Sequence, residues 1–261
     1  MSVAKIRGTA FVVRTCVYGD ESPTTNLNLP STSFLARLKQ DAKAAMARRH
    51  RKTINPFRVQ VQVQRPDWAA IMGGVARPTE VDLGFGRGEF LIEKALREPD
   101  VQFVGIEIRA YLIEAMRRQL AQDPRPNIYL VFANVKLHLP ILFDLGMVRA
   151  FYIHFPDPWT KRKRHHKRRM VDADLVARLY TLLEPGGEMH LMTDKQVVGL
   201  EMCTLFEGHG GFVNACGIGQ FCPQSTTGIR TREELYYMGK GDPIYRLRFI
   251  RAWPKSVGMC S

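Results

Sequence analysis

Residues 81–89 read VDLGFGRGE, and this short stretch decides which fold the chain adopts. An apolar run carries one acid, Asp82, and three glycines follow at alternate positions, Gly84, Gly86 and Gly88. Glycine permits a tight backbone turn and lets a ligand approach the main chain closely. The spacing is GxGxG and differs from the GxGxxG of dinucleotide-binding proteins. The stretch therefore predicts a ligand-binding turn between a buried strand and a helix.

Short apolar runs alternate with segments of helical spacing from residue 79 onward. The predicted strands are Thr79–Leu83, Gln102–Glu107, Ile128–Phe132, Ala150–Phe155 and Glu188–Thr193. The predicted helices are Glu89–Arg97, Tyr111–Ala121 and Ala173–Leu183, and Pro185-Gly186-Gly187 predicts a stop before the last strand. Such alternation is typical of an α/β fold in which helices cover both faces of a parallel sheet.

Polar side chains of matching type follow the first three predicted strands. Asp82 would repel a pyrophosphate but suits a cationic ammonium group, which favours S-adenosylmethionine over NAD as the ligand. Glu107 ends the second strand, where a carboxylate can accept hydrogen bonds from both ribose hydroxyls. Asn134 follows the third strand, where an amide can meet the exocyclic amine of adenine. Each residue alone is more often an ordinary turn residue, but the series favours a cofactor site.

The charge of the chain, +13 at neutral pH, is concentrated in two segments. Residues 37–58 hold eight Lys or Arg against the single acid Asp41, and residues 161–169 hold seven and no acid. The remainder is nearly neutral. Two concentrated basic segments favour a surface for nucleic acid over a merely solubilising role.

The second basic segment directly follows FPDPW, residues 155–159. Two prolines make this turn rigid and fix the direction of Asp157 between them. The motif resembles the (Asp/Asn)-Pro-Pro-(Tyr/Phe/Trp) turn of methyltransferases that modify adenine amines. Nearby His154 and His190 are predicted to be ordinary strand histidines, and none of the histidines has the spacing of a metal site.

The five cysteines form no CxxC pair, so we expect reduced thiols and neither a zinc site nor a disulfide framework. The sequence has no apolar span of membrane length and no signal-peptide pattern at its start, which predicts a cytoplasmic protein without a membrane partner. Residues 1–45 are expected to form a poorly ordered extension, with a short strand at Ala10–Val13 and a basic helix over 33–48. Residues 46–78 form a basic segment, and the main domain covers 79–252.

Several motifs together resemble the bacterial tRNA (guanine-N7-)-methyltransferases. They are VDLGFGRGEFL (81–91), FVGIEI (103–108), FPDPW with the basic run (155–169), LEPGGEMHLMTD (183–194) and TREELYYMGKGDPIYRLRF (231–249). The resemblance implies a Rossmann-like class I methyltransferase with a mostly parallel seven-stranded sheet. It implies methyl transfer from S-adenosylmethionine to N7 of a guanosine in the variable loop of tRNA.

The resemblance also implies roles for individual residues. The cofactor is expected at Asp82, Gly84, Gly86, Gly88, Glu107, Asn134 and Asp157. Asp157 falls at the catalytic position, and the target nucleotide is expected at Lys161, Asp194, Thr231 and Glu234. Two features depart from the family pattern: Glu233 stands where an aromatic residue is usual, and the interval from Trp159 to Arg169 is one residue longer.

Other functions remain open on the sequence alone. A related class I methyltransferase could act on an adenine amine or on rRNA, and a non-catalytic RNA-binding protein could use the same fold. An aminopropyl transferase shares the fold but has no need of two basic segments. The expected partner is tRNA, bound by a monomer or homodimer with no obligate protein partner and no metal.

Overall fold

A computed structural model describes residues 59, 61–74, 77–159 and 168–253. The predictions for residues 1–45, the strand at 10–13 and the helix at 33–48 fall outside this part of the chain, as does Lys161. Within the described ranges, no helix has the length and apolar character needed to cross a membrane.

Seven strands of the described residues form one sheet; one short helix precedes the first strand, and the other helices lie between strands in the chain. The strands are β1 Thr79–Leu83, β2 Gln102–Glu107, β3 Ile128–Phe132, β4 Val148–His154, β5 Leu183–Thr193, β6 Phe212–Asn214 and β7 Tyr245–Arg251. The helices are α1 Trp68–Ile71, α2 Glu89–Arg97, α3 Ala110–Gln122, α4 Val135–Leu142, α5 Ala173–Leu182, α6 Gln196–Gly208 and α7 Arg232–Gly239. The strand order is β3-β2-β1-β4-β5-β7-β6. Strands β1 to β5 are parallel, and β7 runs antiparallel to β5 and β6. The predicted mostly parallel seven-stranded sheet is confirmed.

Apolar side chains cover both faces of the sheet, because neighbouring residues of a strand point to opposite sides. In β2, Val104 and Ile106 join the core cluster that contains α4, α5 and α6. Phe103 of the same strand joins a second cluster with Leu91 of α2 and Met116 of α3. The strand is therefore buried on both sides, which explains why its sequence is a continuous apolar run rather than an alternating one.

The predicted start of β5 at Glu188 is wrong, because Pro185-Gly186-Gly187 lies inside the strand and does not precede it. Leu183 of β5 pairs with Val148 of β4, and Glu188 of β5 pairs with Ala150 of β4. The extra residues of β5 between these two pairs, which include the tripeptide, form a bulge. Sequence propensity favours a break at Pro-Gly-Gly, but a bulge is a place where a strand tolerates both residues.

Helix α4 has no counterpart among the predicted helices. Its N-terminus is capped by Asn134, whose side-chain oxygen accepts a hydrogen bond from the Lys136 N–H at 3.0 Å. Pro140 lies within the helix, where proline is normally disfavoured because it lacks the N–H that the helix requires. Burial of Leu139 and Leu142 in the core offsets this local preference.

The expectation of reduced thiols is wrong for two of the five cysteines. Cys216 and Cys222 form a disulfide across the turn that follows β6, with Cα atoms 5.4 Å apart. Cys203 on α6 is a buried free thiol, and burial, followed by Glu207, raises its pKa to about 11. The spacing of six residues resembles no redox motif, so only the turn geometry brings the two cysteines together.

Candidate active site

The parallel strands end at one edge of the sheet, and the predicted site residues gather there. The chain proceeds outward from β1 through β2 to β3, and then returns to the other side of β1 with β4 and β5. Such a reversal leaves a crevice at the carboxyl ends of the strands, where ligands of α/β proteins bind. Asp82 and Glu107 lie on one side of this crevice, and Asp157 and Asp194 follow the ends of β4 and β5 on the other.

The glycine loop between β1 and α2 shows two different needs for glycine. All three glycines have positive φ, and a Cβ atom at Gly88 would lie 2.5 Å from Sδ of Met116. A Cβ at Gly86 would meet no atom closer than 4.0 Å, the distance to the Gly84 carbonyl oxygen. Gly88 is therefore needed for packing of the helix, whereas Gly86 leaves open space beside the backbone that suits a ligand.

Glu107 is almost fully buried and is held by hydrogen bonds on both carboxylate oxygens. Oε1 accepts from the backbone N–H groups of Ile108 at 2.8 Å and Arg109 at 3.0 Å. Oε2 accepts from the Gly86 N–H at 3.2 Å, which links the acid of β2 to the glycine loop. The carboxylate is thus fixed beside the open space at Gly86.

Arg109 is a site residue that sequence reasoning missed. Its guanidinium donates to Glu107 through Nε at 3.0 Å and Nη2 at 2.7 Å. Burial pulls the pKa of Arg109 down, but the hydrogen bonds and charge of Glu107, with a smaller contribution from Asp157, raise it overall. Arg109 thus lies within electrostatic reach of both Glu107 and Asp157. Its position two residues after Glu107 was the only signal in the sequence.

The ionised form of Asp82 is electrostatically unfavourable in the site. Burial, followed by the negative charges of Glu107 and Glu233, raises the pKa of Asp82 well above its usual range. Glu233, the residue that departs from the family pattern, is therefore close enough to act on the cofactor side of the crevice. Burial also raises the pKa of Glu89, with Glu233 again contributing. A cation that bound here would relieve this repulsion.

S-adenosylmethionine carries a cationic sulfonium, an ammonium group and a ribose diol, and the residues of this crevice fit these groups. The open backbone at Gly86, the buried acceptor Glu107 and the destabilised carboxylate of Asp82 match them in chemistry and charge. Asn134 is brought to the same edge. Its side-chain oxygen caps α4, and its N–H donates to His138 Nδ1 at 3.0 Å. Its predicted adenine contact stays a prediction.

The turn that carries Asp157 is conformationally strained. Phe155 and Trp159, which flank the PDP motif, have φ angles of 47° and 43° although neither is glycine. Such strain persists only where surrounding contacts impose it, and it is concentrated at functional sites. The Phe155 N–H donates to the Met192 carbonyl at 2.7 Å, and its ring stacks on Tyr237 of α7 at 5.5 Å. Asp157 itself is half-buried.

His154 precedes this strained turn at the end of β4. Burial, followed by the charge of His190, lowers the pKa of His154 to about 3. Its ring packs edge-on against Phe90 with centroids 4.5 Å apart. The imidazole is therefore neutral at physiological pH, in agreement with the prediction of a structural strand histidine.

Helix α7 brings Thr231 and Glu234 to the β4–β5 side of the crevice. Thr231 caps the helix, and its Oγ1 accepts from the Glu234 N–H at 3.1 Å. Glu234 is completely buried, and its Oε1 accepts from Arg246 Nε at 3.0 Å. Its Oε2 is also buried and makes no hydrogen bond to any described residue. A buried carboxylate oxygen in this state is an acceptor that suits a donor group on a ligand.

Asp194 follows β5 directly and is mostly buried. Its Oδ2 lies 2.6 Å from Nζ of Lys195. The same ammonium group lies over the ring of Tyr237, 5.8 Å from its centroid. Tyr237 of α7 therefore contacts residues that follow both β4 and β5, so the elements that carry Asp157, Asp194, Thr231 and Glu234 meet at this end of the sheet. Lys161 lies outside the described residues.

Two arginines of the basic run are described, and they behave differently. The Arg168 guanidinium lies 5.1 Å from the ring centroid of Trp159. Arg169 is only 6% exposed and forms an ion pair with Glu201 of α6. Arg169 is therefore a buried and paired arginine, although the sequence shows it only as the last cation of a basic run. A charge pattern alone does not reveal which arginine of a basic run is buried.

Comparison with known proteins identifies relatives that match most of the chain. Residues 76–247 match a family model described as "Putative methyltransferase". The chain is 36% identical over 209 residues to the tRNA (guanine-N(7)-)-methyltransferase of Thermosynechococcus vestitus, covering 79% of this chain and 97% of that protein. It is 36% identical over 212 residues to the enzyme of the same description from Synechococcus elongatus, covering 79% and 98%.

Solved structures with the same architecture are more distant in sequence. The 16S rRNA methyltransferase KamB superposes with a TM-score of 0.54 at 14% identity, covering 73% of this chain and 96% of that one. A variant of the 16S rRNA (adenine(1408)-N(1))-methyltransferase from Catenulisporales acidiphilia, solved with its cosubstrate, gives a TM-score of 0.51 at 20% identity, covering 76% and 96%. At these identities the similarity establishes the fold alone.

Proposed function

This chain belongs to the tRNA (guanine-N(7)-)-methyltransferase family, and we propose that it transfers a methyl group from S-adenosylmethionine to N7 of a guanosine in the variable loop of tRNA. The observation that carries this proposal is the convergence of Asp82, Glu107, Asp157 and Asp194 at one edge of the sheet. We further propose that the protein works in the cytoplasm as a monomer or homodimer, with tRNA as its partner.

Asp82, Glu107, Asn134 and the glycine loop would hold the cofactor, which supplies an activated methyl group on a sulfonium ion. Glu107 is fixed by Gly86 and by two further backbone N–H groups, so it is oriented before the ligand arrives. The raised pKa of Asp82 means that its carboxylate gains most from a bound cation. Preorganisation of this kind reduces the free energy that binding would otherwise spend on ordering side chains.

Asp157 is proposed to act by charge and position, and not as a strong base. Guanine N7 already carries an in-plane lone pair at neutral pH, so no proton has to be removed from it. Methyl transfer moves positive charge onto the purine, and a nearby carboxylate then interacts more favourably with the reacting state than with the substrate. The strained turn at Phe155 fixes where this carboxylate points.

Asp194, Thr231, Glu234 and Lys161 are proposed to contact the target nucleotide. Guanine presents N1–H and an exocyclic amine as donors, which carboxylates accept well. Glu234 supports this role best, because its Oε2 is buried without a hydrogen bond to any described residue. Arg246 holds the other oxygen and so orients the free one. Other cations of the basic run would contact phosphates, while the acids recognise the base.

Nucleoside mass spectrometry tests the reaction. The protein is incubated with S-adenosylmethionine and bulk tRNA that lacks the modification, and the digested tRNA is compared with a sample made without cofactor. We expect N7-methylguanosine to accumulate. Accumulation of N6-methyladenosine instead would favour the related adenine methyltransferase, and methylation of rRNA but not tRNA would favour the rRNA enzyme.

A non-catalytic RNA-binding protein on this fold is the alternative from another class. Calorimetry distinguishes this alternative from the methyltransferase, because a methyltransferase must bind S-adenosylmethionine. The acids that meet the cofactor are intact and buried, which favours binding. Absence of a binding heat together with normal tRNA affinity would favour the non-catalytic alternative.

A further inference from the structure

Arg169, the last residue of the basic run, forms a hydrogen bond to the turn that carries Asp157. Its Nε donates to the carbonyl oxygen of Pro158 at 2.8 Å, and this carbonyl belongs to the residue that follows Asp157. On the other side of the same junction, the Arg168 guanidinium lies over the Trp159 ring. Pro158 and Trp159, which precede the basic run, are therefore joined to Arg169 and Arg168 at its C-terminal end, beside the proposed catalytic acid.

Contacts from two helices hold Arg169 in place. Its guanidinium forms an ion pair with Glu201 of α6, and its carbonyl oxygen accepts from Lys136 Nζ of α4 at 3.1 Å. Asp157, Arg169 and Glu201 line one cavity together with Pro156, Met170, Val171, Val198 and Met202. A buried arginine costs desolvation free energy unless it is paired. Here the contacts with Pro158, Glu201 and Lys136 connect the turn to α4 and α6.

We propose that Arg169 is a positioning residue whose guanidinium holds the Pro158 carbonyl, and with it the Asp157 turn, in the conformation that methyl transfer requires. The inference rests on the proposed function, and it assigns to Arg169 a role distinct from the phosphate contacts of its neighbours in the run. The planar guanidinium reaches the carbonyl and Glu201 at once, which the single ammonium of lysine does not reproduce.

The test compares Arg169→Lys with the matched variant Arg178→Lys on the exposed face of α5. Transfer of a labelled methyl group into tRNA is measured at saturating tRNA, and the affinities for tRNA and S-adenosylmethionine are measured separately. We expect kcat to fall about tenfold or more in Arg169→Lys, since a misplacement of about 1 Å costs up to about 100-fold. Both affinities stay at the wild-type level, and Arg178→Lys is unchanged throughout.

A second readout does not depend on activity. Trypsin cleaves after the cations of the basic run, and we expect faster cleavage between residues 161 and 168 in Arg169→Lys than in the wild type or Arg178→Lys. Glu201→Gln keeps the hydrogen bond to Pro158, so we expect it to retain more activity than Arg169→Lys. An equal loss in Glu201→Gln would overturn the assignment to the Pro158 carbonyl.

Three further results would overturn the proposal. An unchanged kcat and trypsin cleavage rate would mean that Arg169 does not hold the turn. Weaker tRNA binding with a normal kcat would make it a phosphate contact. A parallel loss of cofactor affinity and thermal stability would make its role merely structural. If the wild type transfers no methyl group, the proposed function fails, while the cleavage rate still decides whether Arg169 holds the turn.

Discussion

Asp82 is a single residue that lowers the stability of the free folded protein and strengthens the binding of a cationic ligand. An acid whose pKa is raised on folding binds its proton more tightly in the folded state than in the unfolded chain. Stability is then lost as the pH rises through the folded-state pKa, because the unfolded chain releases the proton more readily. Burial and the charges of Glu107 and Glu233 place Asp82 in this class. A bound cation favours the ionised carboxylate. Asp82 therefore stabilises the complex with a cationic ligand but destabilises the free protein.

Asp82→Asn is therefore expected to stabilise the free protein and weaken cofactor binding. We expect a higher stability at neutral to alkaline pH, because the amide cannot ionise in the buried site or repel Glu107 and Glu233. For a domain of this size, each 1 kcal/mol raises Tm by about 2–4 °C. Thermal melts with and without S-adenosylmethionine measure both effects, and exposed Asp100→Asn is the control. A lower Tm in Asp82→Asn would contradict this account.

The pH dependence of cofactor binding follows from the same group. A cation favours the ionised carboxylate, so affinity should rise as the pH increases through the raised pKa of Asp82, by up to about tenfold per pH unit below that pKa. Calorimetric titrations across this range should show the slope in the wild type and a flatter profile in Asp82→Asn. Identical slopes in the two proteins would show that another group titrates.

Asp157→Asn separates catalysis from binding at the other acid. The amide keeps the shape and one acceptor oxygen but removes the negative charge, so we expect kcat to fall about 100-fold or more. Affinity for tRNA should stay at the wild-type level in a filter-binding assay, because phosphates dominate that affinity. Exposed Asp174→Asn is the matched control. A loss of tRNA affinity equal to the loss of kcat would contradict the proposed role.

At the scale of elements, the glycine loop offers a contrast between two neighbouring positions. Alanine at Gly86 or Gly88 pays the same cost of about 1–2 kcal/mol for a left-handed backbone. At Gly88 the added Cβ also meets the Met116 side chain, whereas at Gly86 it enters open space. Gly88→Ala should therefore lower Tm more than Gly86→Ala. Gly86→Ala should lose more cofactor affinity than its change in Tm explains, and normal affinity in that variant would contradict a ligand at the loop.

Elements were predictable from sequence where burial is continuous and were missed where tertiary contacts override local preference. The bounds of β2 and β3 follow from apolar runs, because the interior of a strand buried on both faces is mostly apolar. Helix α4 was missed because Pro140 predicts a helix break, whereas in the fold the burial of the helix's leucines stabilises it. The early start of β5 was missed because the bulge depends on its partner strand, which local sequence does not reveal.

The same division applies to the site. Acids at strand ends were predictable, since parallel strands bring their carboxyl ends to one edge whatever the details of packing. Their partners were not, because Arg109 on Glu107 and Arg246 on Glu234 depend on side chains meeting in space. The burial of Arg169 is the clearest case. It looks like one more cation in a run until the fold places it beneath the Asp157 turn.

At the scale of the whole molecule, the concentrated charge predicts how tRNA binding responds to salt. Each phosphate contact releases counterions, so the slope of log K against log salt grows with the number of contacts. Neutralising Lys163, Arg164, Lys167 and Arg168 should reduce the magnitude of this slope by up to about 3.6, at about 0.7–0.9 per contact. The exposed pair Arg118→Gln and Arg178→Gln is the control. An unchanged slope would show that tRNA binds elsewhere.

The most direct test of the central claim locates the methyl group on a single tRNA. Borohydride reduction followed by aniline cleaves RNA at N7-methylguanosine, so a transcript treated with the protein and S-adenosylmethionine reports the modified position as a new fragment. The account predicts one cleavage site, at a guanosine of the variable loop, which is absent with Asp157→Asn. An intact transcript after methyl transfer by the wild type, or cleavage outside the variable loop, would contradict it.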